Sequence, residues 1–113
     1  MARLRGKIAG QMNKYHNVKT VVDNVTFDSK READRYSELR LLVRAGTIRD
    51  LELQPEFPVV VNGKKICVYR ADFAYHALDG KKTTEDVKGV KTAVYRLKKR
   101  LVEAIYDIRI LET

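Results

Sequence analysis

Asn62-Gly63, set between Val59-Val60-Val61 and the largely apolar run 66–75, commits the middle of this chain to an antiparallel hairpin. A two-residue type I′ turn needs positive φ at both central positions, which asparagine and glycine tolerate, and its twist matches that of the paired strands. Thr20-Val21-Val22 and Val25-Thr26-Phe27 flank a second turn at Asp23-Asn24, and residues 48–53 alternate apolar with charged side chains before Pro55 and Pro58. Asp79-Gly80 turns the chain into a strand over 83–88, which Gly89 ends. Helical spacing predicts a first helix over 30–45, with Tyr36, Leu39, Leu42 and Val43 buried and Gly46 as its stop. A second helix is expected over 92–105, packed on the sheet through Ala93, Val94, Leu97, Leu101 and Ile105, and a last strand over 108–111. This order of elements predicts an α/β fold, a mixed central sheet flanked by helices, as a single domain over 18–113.

Charge narrows the partner. A formal net charge of +8 on 113 residues is a self-repelling excess that a polyanion relieves. Residues 1–17 carry Arg3, Arg5, Lys7 and Lys14 without an acid and are expected to form a flexible basic arm. That stretch lacks the apolar segment of a secretory signal, and no apolar run approaches the ~20 residues of a membrane span, so a cytoplasmic protein is expected. Cys67 is the single cysteine, which excludes an intramolecular disulfide and a cysteine-based zinc site. His16 and His76 stand without a histidine or cysteine at ligand spacing, and no glycine-rich phosphate loop is present.

The acidic residues with the most chemistry are Asp72 and Asp86. Asp72 interrupts the apolar and aromatic stretch Ala71-Asp72-Phe73-Ala74-Tyr75, where packing gives no reason for an acid. In a strand, Asp86 and Lys88 share one face and Glu85 and Val87 the other. If Asp72 lies on the neighbouring strand, the carboxylates of Asp72 and Asp86 stand within about 5 Å and repel unless a proton or a cation relieves them. Magnesium, which accepts one or two carboxylates and keeps its waters, suits such a pair. The alternative is two ordinary acids near turns with a solvated lysine. Glu32 has two readings also: Ser29-Lys30-Arg31-Glu32 is a capping box, yet Glu32 continues the buried stripe of Tyr36 and Leu39.

Four segments together, 25–36, 51–57, Tyr69-Arg70-Ala71-Asp72-Phe73 and Glu85-Asp86-Val87-Lys88-Gly89, resemble a phage and prophage family of small PD-(D/E)XK proteins long catalogued as a domain of unknown function. The resemblance runs over 14–106. That family is similar to Holliday-junction resolvases of the endonuclease I kind and to the nuclease subunit of some transposases. The resemblance implies a restriction-endonuclease-like fold and a metal-dependent DNA endonuclease, structure-selective and dimeric, acting in phage DNA recombination, in the host cytoplasm if phage-encoded. It implies Asp72, Asp86, the Val87 carbonyl and Glu32 as ligands of Mg²⁺ or Mn²⁺, Lys88 as the catalytic lysine, and Gln54 near the site. Ala71 stands where the motif has proline, and Asp86 where it more often has glutamate, one methylene longer.

The segment 88–100 holds Lys88, Lys91, Arg96, Lys98, Lys99 and Arg100, six cations without an acid. Lys91, Tyr95, Lys98 and Lys99 fall on one helical face and are the expected DNA-binding set, contacting phosphates rather than base edges. Two other functions remain open at this point: a less selective DNA nuclease, and a non-catalytic nucleic-acid-binding module.

Overall fold

The computed structural model describes residues 19–113; the expected basic arm and His16 lie outside the described residues. The elements are β1 (Thr20–Val22), β2 (Val25–Phe27), α1 (Lys30–Arg44), β3 (Ile48–Leu53), β4 (Glu56–Val61), β5 (Lys64–Arg70), β6 (Phe73–Ala77), β7 (Lys82–Asp86), α2 (Ala93–Tyr106) and β8 (Ile110–Glu112). The chain divides into two compact units after Ser37, within α1.

In the first unit β1 and β2 pair antiparallel, with positive φ at Asp23 and Asn24 as a type I′ turn requires. Phe27 and Tyr36 are buried with ring centres 5.0 Å apart, and the Tyr36 hydroxyl donates to Asp23 Oδ2 at 3.1 Å. The Ser29 hydroxyl opens α1 by accepting the Glu32 amide at 3.1 Å.

The second unit is a mixed α/β structure around a four-stranded sheet of order β3-β6-β7-β8. β3, β6 and β7 run antiparallel in turn, and β8 is parallel to β7. A parallel neighbour needs a long crossover, and α2 supplies it. β4 and β5 form a separate two-stranded hairpin through Asn62 and Gly63, both at positive φ. Pro58 sits in β4, which has one partner only and so spares a ladder donor. α1 ends in a Schellman motif: Gly46 takes φ +79°, its amide donates to the Val43 carbonyl at 3.0 Å, and the Thr47 amide donates to the Leu42 carbonyl at 3.0 Å.

Three expectations change. The run 66–75 is two strands in two sheets, because at Ala71 and Asp72 the backbone changes partners: the Ala71 amide donates to the Pro55 carbonyl at 3.0 Å and the Asp72 amide to the Glu85 carbonyl at 3.0 Å. The strand through Asp86 stops there, so Val87 and Lys88 leave the pleat. The buried face of α2 is also not the expected one. Tyr95 and Val102 enter a core with Val59, Tyr69, Ala71 and Ile110, joined by Leu101, while Val94 and Leu97 are 62% and 60% exposed. No helix among the described residues is long and apolar enough to cross a membrane.

Candidate active site

Antiparallel pairing of β6 with β7 sets Phe73 against Glu85, so the next step along the same register puts Asp72 opposite Asp86. Both sides of this pair are fixed by backbone. Asp72 sits at the bend before β6, where its carbonyl accepts the Gln54 amide at 2.9 Å and its Oδ2 accepts the Val87 amide at 2.7 Å. Asp86 ends β7, its side chain 1% exposed, and its carbonyl accepts the Thr113 amide at 3.1 Å.

The Asp86 carboxylate has unequal oxygens. Oδ2 accepts the Tyr69 hydroxyl. Oδ1 is buried and receives no hydrogen bond; Lys88 Nζ, 3.3 Å away, meets it as an ion pair without hydrogen-bond geometry. Burial pushes the Asp86 carboxyl up to about 7, and the adjacent Asp72 adds to this by accepting a hydrogen bond from the protonated Asp86 carboxyl and by repelling the charged one. The Tyr69 hydroxyl and Lys88 pull the other way. The Tyr69 phenol is itself raised by burial and by the Asp86 charge. The ammonium of Lys88 lies 4.6 Å from the ring centre of Tyr95, within cation–π range.

Tyr95 connects this pair to another. Its hydroxyl donates to Glu112 Oε2 at 2.7 Å, and burial followed by that carboxylate raises its phenol pKa. Glu112 stands beside Asp86 in the parallel register of β8 on β7. It also pairs with Lys91 at 3.1 Å and Lys99 at 3.3 Å. The Tyr95 hydrogen bond, then Lys91 and Lys99, hold the Glu112 carboxyl down at about 2.

The expected DNA-binding set therefore divides. Tyr95 is 8% exposed, with its hydroxyl spent on Glu112, so it supports the site from inside rather than presenting a face to DNA. Lys91 and Lys99 are paired to Glu112, and Lys98 lines an open cleft of about 420 Å³ with Val68, Tyr69, Arg70, Lys88, Thr92, Val94 and Tyr95. Gln54 is exposed at φ +53°, joined to Asp72 through its amide. Glu32 belongs to the first unit, where its Oε1 accepts the Ser29 hydroxyl at 3.5 Å. Asp72, Asp86 and Lys88 are the predicted residues that the second unit brings together.

A divalent cation fits the Asp72–Asp86 pair. The donors are all oxygen, the charges are adjacent, and one buried oxygen has no hydrogen bond. No group of three or more His, Cys, Asp or Glu residues able to hold a metal occurs among the described residues. Two carboxylates with the remaining positions left to water and substrate is the arrangement magnesium tolerates best.

Tyr69 and Glu112 were not foreseen as parts of the site. Tyr69 alternates with Cys67 along β5, a weak pattern signal; nothing in sequence ties Glu112 to residues 91–99. Glu85, expected on the opposite face from Asp86, is buried there with the Tyr75 hydroxyl donating to Oε2 and the Thr113 hydroxyl 3.4 Å from Oε1. His76, expected to hold no metal, has Nδ1 3.3 Å from Asp50 Oδ2.

No curated protein and no solved structure matches the chain. A family model described as "Protein of unknown function (DUF1064)" matches residues 12–111, nearly the whole sequence, and the chain belongs to that family.

Proposed function

We propose that this protein is a magnesium-dependent endonuclease that hydrolyses phosphodiester bonds in DNA, preferring branched DNA, and that it works as a homodimer in the cytoplasm. The observation that carries the reading is the buried Asp86 oxygen without a hydrogen bond, beside Asp72 and 3.3 Å from Lys88. A buried carboxylate beside a half-buried one, with an amine alongside, is what phosphoryl chemistry needs and what packing does not. The mixed sheet with its β7–α2–β8 crossover is compatible with a restriction-endonuclease-like arrangement. The preference for branched DNA and the dimer rest on the resemblance of the four sequence segments.

Asp72 and Asp86 would hold the ion, with the Val87 carbonyl as a further ligand. A magnesium ion held there would supply Lewis acidity for activating water and relieving charge on the phosphodiester, and manganese, with overlapping ligand preference, could replace it. Asp72 is oriented by the Val87 amide. Lys88, steadied over the Tyr95 ring, places its charge where the phosphate becomes more negative. Gln54 orients water or phosphate beside Asp72.

A labelled four-way junction and a matched linear duplex, incubated with and without Mg²⁺, test this. Symmetric nicks in the junction that need Mg²⁺ and disappear in Asp86→Asn are the expected result. Equal cutting of both substrates leaves a general nuclease. Binding without cleavage under any divalent ion overturns the enzymatic reading and leaves a binding module.

A further inference from the structure

The cleft beside Lys88 has a composition that the cleavage reaction by itself does not require. Its cations are Lys88, Arg70 and Lys98, and its apolar wall is Val68 and Val94, the latter 62% exposed. Thr92, which caps α2 by accepting the Tyr95 amide at 3.1 Å, stands at its edge with the positive end of the helix.

These cations are differently committed. Lys88 is paired with Asp86, and Arg70 with the exposed Glu56 at 3.0 Å, a surface pair that exchanges at little cost. Lys98 is half-buried and, among the described residues, has no carboxylate within ion-pair distance. Lys91, just before α2, and Lys99, the residue next to Lys98, share the Glu112 carboxylate. Among the described residues, Arg96, Lys98 and Arg100 are the cations of α2 with no carboxylate in ion-pair distance, and of these Lys98 lines the cleft.

We infer that the cleft holds a single unpaired nucleotide of the DNA substrate, with its phosphate between Lys98 and Arg70 and its base against Val68 and Val94. The volume of about 420 Å³ lies in the range of pockets that take one small organic ligand, roughly 300–1,000 Å³. A base still stacked in a duplex cannot be set into a concave site; a base out of the stack can. β5 and α2 each bring one cation and one valine to the cleft, and cationic groups together with bare aliphatic carbon match the two parts of a nucleotide. The inference rests on the nuclease reading for its biological substrate. It gives that reading a substrate class: DNA with an unpaired nucleotide next to the scissile phosphate.

Metal-free NMR titration of the whole chain tests it without reference to cleavage, using thymidine 5′-monophosphate, thymidine and inorganic phosphate as separate probes. Saturable shifts at the amides of Val68, Tyr69, Arg70, Thr92, Val94 and Lys98, tighter for the monophosphate than for either fragment, are expected. Lys98→Ala and Arg70→Ala should each weaken that binding roughly fivefold, the scale of one exposed charge contact, while Lys64→Ala at the β4–β5 turn leaves it unchanged. Inorganic phosphate binding as tightly as the monophosphate would show a phosphate site without a base subsite and overturn the inference, as would the absence of localised shifts. A protein that cuts DNA but binds no monophosphate loses this proposal alone; one that binds the monophosphate and never cuts loses the nuclease reading alone.

Discussion

Lys88 carries its ammonium 3.3 Å from the Asp86 oxygen that has no hydrogen bond. The pair is asymmetric: the carboxylate is enclosed, while the lysine side chain keeps 30% of its surface in solvent. Lys88 therefore loses little by moving to a phosphate, whereas Asp86 loses its cation when it does. Replacing the amine should expose that dependence. In Lys88→Met the Asp86 carboxyl titrates above its value of about 7, because the lysine's share of the stabilisation of the charged form is gone. Carbon-detected NMR of the Asp86 carboxyl in both proteins measures the change; an unmoved midpoint would show that Lys88 does not act on Asp86.

The same group predicts how stability depends on pH. Asp86 rises from an ordinary 3.8 to about 7 on folding. Between these values the folded state binds the proton more tightly, so the contribution is most favourable at low pH and is lost as pH climbs from about 4 to about 7, on the order of a few kcal/mol in all. Glu112 has the opposite sign. Its carboxyl falls from 4.5 to about 2 on folding, so its contribution is full above about 4.5 and is lost as pH falls toward 2. Urea unfolding from pH 3 to 8.5 should therefore show a maximum near pH 4–5. Asp86→Asn should flatten the decline above it, and a decline that persists in the variant would move the effect to another group.

Much of this arrangement was legible in the residues, for identifiable reasons. Positive-φ turns at Asp23-Asn24 and Asn62-Gly63 are written in local chemistry, as is the Gly46 helix stop. The opposition of Asp72 and Asp86 follows from a single antiparallel register. The orientation of α2 was not legible. Val94, Leu97, Leu101 and Ile105 make the wider apolar stripe in sequence, yet the helix buries Tyr95 and Val102, because the phenol finds Glu112 seventeen residues on and the ring finds Tyr69 at 6.3 Å. A local hydrophobic pattern does not contain that partner. Nor does it show that Lys91 and Lys99 would be neutralised by a carboxylate from a later strand. The break between β5 and β6 was hidden for a similar reason: residues 66–75 are apolar on both sides of Ala71-Asp72, and only the exchange of backbone partners separates them.

Glu112 engages two cations, Lys91 just before α2 and Lys99 within it. Glu112→Gln removes the anion from Lys91 and Lys99 and should raise affinity for a DNA duplex at low salt. Each lysine that gains a phosphate steepens the plot of log affinity against log salt by about 0.9, so a change of up to about 2 is expected. Fluorescence anisotropy over a salt series checks it. An unchanged slope would mean that the two lysines do not reach phosphate even when released.

Capping of α2 gives a stability prediction independent of the site's charge. Thr92→Ala leaves the Tyr95 amide without its side-chain acceptor, at a cost of about 1 kcal/mol. Thr92→Ser should recover most of it in equilibrium unfolding. If serine fails to rescue, the contribution comes from the threonine methyl rather than from the hydroxyl.

Glu85 and Asp86 are adjacent, both buried, and on opposite faces of β7, which makes them a matched pair for testing the metal site. An ion that binds only the folded protein stabilises it by mass action, by about 2.7 kcal/mol at one hundred times its dissociation constant, and so raises its midpoint of thermal unfolding. Mn²⁺ or Mg²⁺ should stabilise the wild-type chain, and the effect should vanish in Asp86→Asn and Asp72→Asn. In Glu85→Gln the amide can still accept the Tyr75 hydroxyl, so the metal-induced shift should survive even if the baseline stability changes. Because protons compete for Asp86, the shift should also grow as pH rises toward 7. Loss of the shift in Glu85→Gln with retention in Asp86→Asn would place the ion on the wrong face of the strand, and the Asp72–Asp86 site would be abandoned.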